Sequence, residues 1–146
     1  MKRLLEDVSA FHRAGDIPIA NRPIAPAPER VRLRAKLIDE ECQEVLSAMF
    51  ADWRRDREID QSRVEVDMLG VADGLADLIY VVIGAALEFG IPLERVWEEV
   101  QDANMRKVAA DGRIRRRSDG KLLKPDDWQP PDIKTAVFGG AGSDPE

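Results

Sequence analysis

Apolar positions recur at helical spacing in four stretches of the chain. Leu4, Leu5, Val8 and Phe11, followed by Gly15, predict a short amphipathic helix with a glycine stop. The next stretch, DIPIANRPIAPAP over residues 16–28, holds four prolines in thirteen positions. It can run neither as helix nor as central strand, so an extended connection over the surface is expected. From about Glu29 to Trp53 the set Val31, Leu37, Ile38, Val45, Leu46, Met49, Phe50 and Trp53 keeps a 3.6-residue period without Gly or Pro, which predicts a long second helix. The polar run RRDREIDQ ends it. Ser62 with Glu65 then forms a capping-box signature for a third helix, expected to reach about Phe89 and to be capped by Gly90. Pro92 opens a fourth, which carries Val96, Trp97, Val100 and Met105 and fades near Ala110. Beyond Asp111-Gly112, the segment IRRRSDGKLLKP has Asp119-Gly120 between two short runs, a signal for a tight hairpin or hairpin-like loop. The last residues, GGAGSDPE, are expected to fray. The expected fold is all-α and four-helix bundle-like, one domain over 1–146. Residues 1–28 would form an N-terminal helix and Pro-rich connection, 29–110 the main helices, and 111–146 an irregular basic arm and tail.

Composition narrows the chemistry. With 44% hydrophobic and 34% charged residues in 146, the chain carries enough apolar side chains to order most of its length around one core. A net charge of -6 argues against nucleic acid or anionic lipid as a partner, because both attract a basic surface excess. One cysteine, Cys42, and one histidine, His12, exclude an internal disulfide, a zincin motif and any multi-histidine metal site. A metal would have to be held by oxygen. The N-terminal MKRLLEDVSAFHRAG contains no seven-residue apolar run and no small-residue cleavage site, so a secretory signal is not expected and a cytoplasmic location is.

The third helix stands out. MLGVADGLADLIYVVIGAAL, residues 68–87, is apolar nearly all round, as in a helix buried on every side or one crossing a bilayer. Asp73 and Asp77 would each cost about 2.5–3.5 kcal/mol at a bilayer centre, and basic anchors are missing, so burial against other helices is expected instead, within one chain or between copies. The two aspartates share a face at i, i+4 and, if buried, need a cation. The second helix supplies a matching feature in DEECQE, where Glu40, Glu41 and Glu44 converge on one side. Taken alone, this is an ordinary solvated acidic face. Combined with Asp73 and Asp77, it makes a five-carboxylate cluster that divalent ions would stabilise, and oxygen-only ligands select Mg²⁺ or Mn²⁺. Magnesium bound through a few carboxylates commonly also binds substrate phosphates, which suggests a nucleotide.

The string Glu40-Glu41-Cys42-Gln43-Glu44, followed by DGLADLIYVVIGAALEFGIPLERVWEEVQDANMRK and GKLLKPDDWQPPDI, resembles the MazG-like all-α nucleoside triphosphate pyrophosphohydrolases over about residues 30 to 132. The resemblance is strongest to the phosphoribosyl-ATP pyrophosphohydrolase-like branch that includes MazG-type dUTP diphosphatases. It implies EExxE on one helix and ExxD on the next, holding Mg²⁺ ions that engage a triphosphate. The first half matches fully. In the second, Asp77 takes the aspartate position, but Gly74 stands where the family has glutamate. Either Asp73 has taken the ligand role in an i, i+4 variant or one metal site is weakened; the first is the expectation, and Gly74→Glu is expected to restore part of what Asp73→Ala loses.

By resemblance, water activated by the metal attacks the α-phosphorus and pyrophosphate leaves. Glu41, Glu44, Asp73 and Asp77 are then the metal ligands, and Glu40 either bridges or orients the attacking water. Asn104 and Lys107 match an Asn-x-x-Lys that contacts nucleotide. Arg115, Arg116, Arg117, Lys121 and Lys124 either fold over the triphosphate or pair with an acidic partner surface. Tyr80, one turn beyond Asp77, reaches the metal shell or fills core. Trp53, Trp97 and Trp128 read as packing, Phe11 as core and His12 as surface, with a base pocket at a subunit boundary as the other reading of the last two. A homodimer or dimer of dimers is expected, since the third helix has more apolar surface than one short chain readily covers. The expected substrate is a nucleoside triphosphate such as dUTP. The alternatives are phosphoribosyl-ATP pyrophosphohydrolysis in histidine synthesis, and a non-catalytic helical interaction module.

Overall fold

The computed structural model describes residues 1–50, 66–109 and 111–139. They form five helices: α1 (Lys2–Ala14), α2 (Pro28–Met49), α3 (Met68–Phe89), α4 (Leu93–Met105) and α5 (Ile133–Phe138). Among the described residues there is no strand, only two isolated antiparallel bridges. The fold is all-α, as the hydrophobic periodicity predicts. The chain separates into two units, Met1–Gly90 and Ile91–Glu146.

In the first unit the helix ends are set by local chemistry. Pro28 occupies the first turn of α2, where its missing N–H costs nothing. The helix stops at Met49, and Phe50 is extended, so α2 is shorter than its apolar period suggested. Trp53 and the Ser62/Glu65 capping box lie outside the described residues. Asp67 caps α3 instead, its carboxylate accepting from the N–H groups of Leu69 at 3.1 Å and Gly70 at 3.0 Å. At the other end Gly90 adopts φ +62°, and a Cβ there would fall 1.9 Å from the carbonyl oxygen of Arg22. The Pro-rich connection is more than a surface strap. It donates from Ala20 to the Leu87 carbonyl (2.9 Å) and from Ile24 to the Phe89 carbonyl (3.0 Å), satisfying acceptors that the end of α3 leaves open.

Small residues let α3 approach its neighbours. Gly74 lies against Val45 of α2, and both are buried. Gly84 leaves room for the side chains of Arg34 and His12. These belong to a buried polar cluster that the sequence reading misses. Glu88, with a fully buried side chain, accepts from Arg30 and Arg34, with Arg34 Nε at 2.7 Å and Arg30 Nε at 3.0 Å. Arg34 Nη2 donates to His12 Nε2 at 3.2 Å, and His12 Nδ1 faces the Pro18 carbonyl at 3.4 Å. These contacts reverse the expectation for α1. His12, one turn beyond buried Val8, is 2% exposed, whereas Phe11 is 57% exposed and meets Tyr80 edge-on, ring centroids 5.6 Å apart. Hydrogen bonds on both ring nitrogens permit the imidazole to be buried.

The cluster makes stability pH-dependent. Burial, with Arg34 reinforcing it against the Pro18 carbonyl, holds His12 below its ordinary value near 6.5. For Glu88, burial works against the charge, but the hydrogen bonds from Arg30 and Arg34 outweigh it and hold the carboxyl below 4.5. Both groups bind protons more tightly in the unfolded chain, so acid favours unfolding. Stability is expected to be full above about pH 6.5, to fall as His12 charges, and to fall again below about pH 4.5 as Glu88 is neutralised. Urea midpoints across pH 8 to 4 measure this, and His12→Gln should flatten the upper part of the loss. A midpoint constant from pH 7 to pH 5 would contradict it.

Among the described residues of one chain, α3 is buried on only part of its circumference. Gly74, Ile83, Gly84, Ala86 and Glu88 are buried, but Met68 and Leu69 are 70% and 84% exposed, and Leu75, Ile79, Tyr80 and Val82 are exposed too. Asp73 and Asp77 are exposed rather than buried, because α1 and α2 cover only part of the helix circumference.

In the second unit the tail folds back on α4. Trp128 Nε1 donates to the Ala103 carbonyl at 2.7 Å, Arg95 to the Thr135 carbonyl at 3.3 Å, and Arg106 to the Gln129 carbonyl at 3.4 Å. The fifth helix was not expected; Asp132 caps it by accepting from the Thr135 N–H at 2.9 Å. The fourth ends at Met105, short of Ala110. The hairpin-like loop is present, with bridges Val108 to Ile114 and Arg116 to Leu122 and left-handed glycines at 112 and 120.

Candidate active site

A close approach of α2 and α3 at Val45 and Gly74 organises the acidic residues. Glu41 and Glu44 precede Val45 on α2, and Asp73 and Asp77 bracket Gly74 on α3. Glu41 is half-buried, while Glu40, Glu44, Asp73 and Asp77 are exposed. Burial raises the Glu41 carboxyl above its ordinary range, and the negative charges of Glu44, Asp77, Glu40 and Asp73 raise it further. Carboxylates from both helices thus act on one side chain. Glu40 also pairs with Lys36 at 3.3 Å along α2. Among the described residues no three His, Cys, Asp or Glu side chains are gathered tightly enough to hold a metal ion as they stand. The side chains are spread, as like charges at a surface are. The donors are nonetheless all hard oxygens, supplied by two packed helices at i, i+3 and i, i+4 spacing, and that donor set fits Mg²⁺ or Mn²⁺.

Gly74 is a point of contact between α3 and α2. A Cβ at this position would lie 2.8 Å from Val45 Cγ2 and 3.3 Å from the Val45 nitrogen. The position serves helix contact, and any side chain there must displace Val45, so Gly74→Glu is not expected to restore a ligand lost at Asp73. We expect Gly74→Glu to destabilise the protein by more than the ~1–3 kcal/mol typical of overpacking, because it forces a charge into the same contact. Thermal melts of Gly74→Glu beside Gly74→Ala measure this, and a Gly74→Glu protein as stable as the parent would refute it.

The remaining candidates fall elsewhere. Tyr80 lines a cavity of about 270 Å³ between α1 and α3, together with Leu4, Val8, Ile79 and Ile83. Asn104 and Lys107 belong to the second unit, where Lys107 Nζ donates to Asn104 Oδ1 at 2.7 Å. Lys107 and Lys124 both stand over the Trp128 indole, at 5.4 and 3.9 Å from its centroid. Lys121 is exposed, and its N–H is held by Asp119 at 3.0 Å. Arg115 and Arg117 pair with Asp111 and Asp119, inside the arm itself. The sequence marks Trp128 only as packing; the signal for more is in GKLLKPDDW, a lysine and an aromatic four positions apart.

Comparison with family models matches residues 8–104 to the family described as phosphoribosyl-ATP pyrophosphohydrolase. The match takes in all five carboxylates and Asn104, and stops before Lys107 and the arm. A search of curated proteins finds no match. With most of the chain covered, and with all-α architecture bringing the acidic helices together, this protein belongs to that family, within the MazG-like all-α pyrophosphohydrolases, and its general activity is that of a nucleotide pyrophosphohydrolase.

Proposed function

We propose that the chain hydrolyses a nucleoside triphosphate such as dUTP, adding one water across the α–β phosphoanhydride to give the nucleoside monophosphate and pyrophosphate, with Mg²⁺ or, in its place, Mn²⁺ as cofactor. The observation that carries this reading is the packing of α2 on α3 at Val45 and Gly74, which sets the Glu41 side of one helix against the Asp73/Asp77 side of the other. Glu41, Glu44, Asp73 and Asp77 would hold the metal. Bound divalent ions supply charge neutralisation on the phosphate oxygens and a lowered pKa for a bound water. Glu40 lies on the same acidic helix face and is the candidate to orient the attacking water or to bridge, exchanging its Lys36 partner for that role. Asn104, Lys107, Lys121 and Lys124 are the proposed phosphate contacts, the lysines as point charges.

The test is pyrophosphate release from a panel of ribo- and deoxynucleoside triphosphates with Mg²⁺ and with EDTA. Phosphoribosyl-ATP belongs in that panel, since the family description names it and supports a second reading in which the same bond is cleaved in that nucleotide. No magnesium-dependent release from any of them would leave the non-catalytic module.

The proposed assembly is a homodimer or dimer of dimers of a cytoplasmic protein, with no membrane or nucleic-acid partner. The helix α3 has the length and apolarity of a membrane span, and 17% of its most apolar window is buried within the chain. Asp73 and Asp77, in the first half of that helix, oppose insertion, and a second copy would cover Leu69, Leu75, Ile79 and Val82. Light scattering at micromolar concentration should give at least twice 16.4 kDa; a 16 kDa particle would overturn this.

A further inference from the structure

The second unit contains a cationic arrangement whose central residue is not itself charged. Lys107 leaves the end of α4 and Lys124 comes from the arm, yet both ammonium groups stand over one indole, that of Trp128. The ring attracts each of these two like charges and so offsets their mutual repulsion. The ring is itself fixed, since its N–H is bonded to the Ala103 carbonyl on α4 at 2.7 Å. Lys107 is further oriented by donating to Asn104 Oδ1. An ammonium has three donors, so both lysines keep N–H groups free for a ligand. Asp126 and Asp127 precede Trp128, but among the described residues neither forms an ion pair with Lys107 or Lys124.

We propose that Trp128 is a positioning residue: it gathers Lys107 and Lys124 over one indole beside Asn104 and so preorganises a receptor for a polyphosphate chain. Two cations held on one indole, 5.4 and 3.9 Å from its centroid, match a ligand with anionic oxygens repeated along a chain better than they match a single carboxylate. Preorganisation matters because free lysine side chains would each lose rotamer freedom on binding, and the indole has already restricted them. The inference rests on the phosphate-handling part of the proposed function and adds the residue that arranges it. The polyphosphate is that of a nucleotide or free pyrophosphate, which share this chemistry.

Calorimetric titration of the full chain with inorganic tripolyphosphate, pyrophosphate and a nucleoside triphosphate, in metal-free buffer, tests it. The parent should bind tripolyphosphate, with a shift of the Trp128 indole N–H resonance assigned through Trp128→Phe. Lys124→Gln, an exposed change that leaves the fold alone, and Trp128→Leu should each weaken tripolyphosphate about three- to tenfold, and Lys124→Arg should retain most of the affinity. Equal losses for pyrophosphate point to product binding, and larger losses for the nucleotide point to substrate binding; either supports the receptor. In turnover the same variants should raise KM with little change in kcat. A parent that does not bind tripolyphosphate, or a folded Trp128→Leu at parental affinity and KM, overturns the proposal. A parent that binds tripolyphosphate through these residues but releases no pyrophosphate would overturn the hydrolase reading and leave the receptor standing.

Discussion

Glu44→Ala and Asp77→Ala should each reduce magnesium-dependent pyrophosphate release by about a thousandfold or more, with a melting temperature in metal-free buffer no lower than the parent's. The size follows from the several kcal/mol that metal-assisted charge stabilisation supplies, each ~1.36 kcal/mol being a factor of ten in rate. The stability part follows from position. Both side chains are exposed, so truncation leaves no cavity, and each is one of the negative charges that raise the Glu41 carboxyl. Asp73→Ala should cost as much as Asp77→Ala, because Gly74 cannot supply the missing carboxylate and Asp73 stands next to it on the same helix. Circular dichroism with a pyrophosphate-coupled assay separates the two effects. Full activity in both Glu44→Ala and Asp77→Ala would remove the metal site. Full activity in Asp73→Ala alone would leave the site to Glu40, Glu41, Glu44 and Asp77.

The carboxylates were legible because their spacing is a helix property: 41 and 44, and 73 and 77, share faces whatever packs around them. What spacing does not report is depth. The apolar run around Asp73 and Asp77 suggested burial, yet burial depends on how many helices surround α3, and among the described residues α1 and α2 leave both aspartates exposed. Phe11 and His12 show the same limit at finer grain. Hydrophobicity favoured the phenylalanine for the core, but Arg34 and the Pro18 carbonyl offer partners to both nitrogens of the imidazole, and those partners come from other elements. Glu88 could have been suspected as the lone acid in GAALEF, though its two arginines, some fifty residues earlier in the chain, are recognisable only once α2 lies on α3. The role of Gly74 was likewise hidden, because the family pattern makes it look like a lost ligand while the helix contact requires it empty.

Glu88→Ala should destabilise the protein by about 3–5 kcal/mol, a large share of the ~5–15 kcal/mol that holds a domain together. Its side chain is fully buried and accepts hydrogen bonds from both Arg30 and Arg34. Arg34 is itself buried, with 8% of its side chain exposed, and cannot turn to solvent without leaving His12. Removing the carboxylate therefore strands a guanidinium beside a neutral imidazole, and the cost is the desolvation of that charge rather than the value of one ion pair. Glu88→Gln should be less severe in shape but nearly as costly in charge. A control distinguishes the two contributions: Glu88→Leu with Arg34→Met and His12→Leu removes the buried groups left without partners, while Arg30, whose side chain is 29% exposed, can turn to water. Most of the loss should then be recovered, because a well-packed apolar replacement of a buried ion pair is often neutral or better. Urea denaturation reads these differences as midpoint shifts at constant slope. A loss below about 1 kcal/mol for Glu88→Ala would mean that water reaches Arg34 in solution, and that the cluster is not the buried clamp joining α1, α2 and the end of α3.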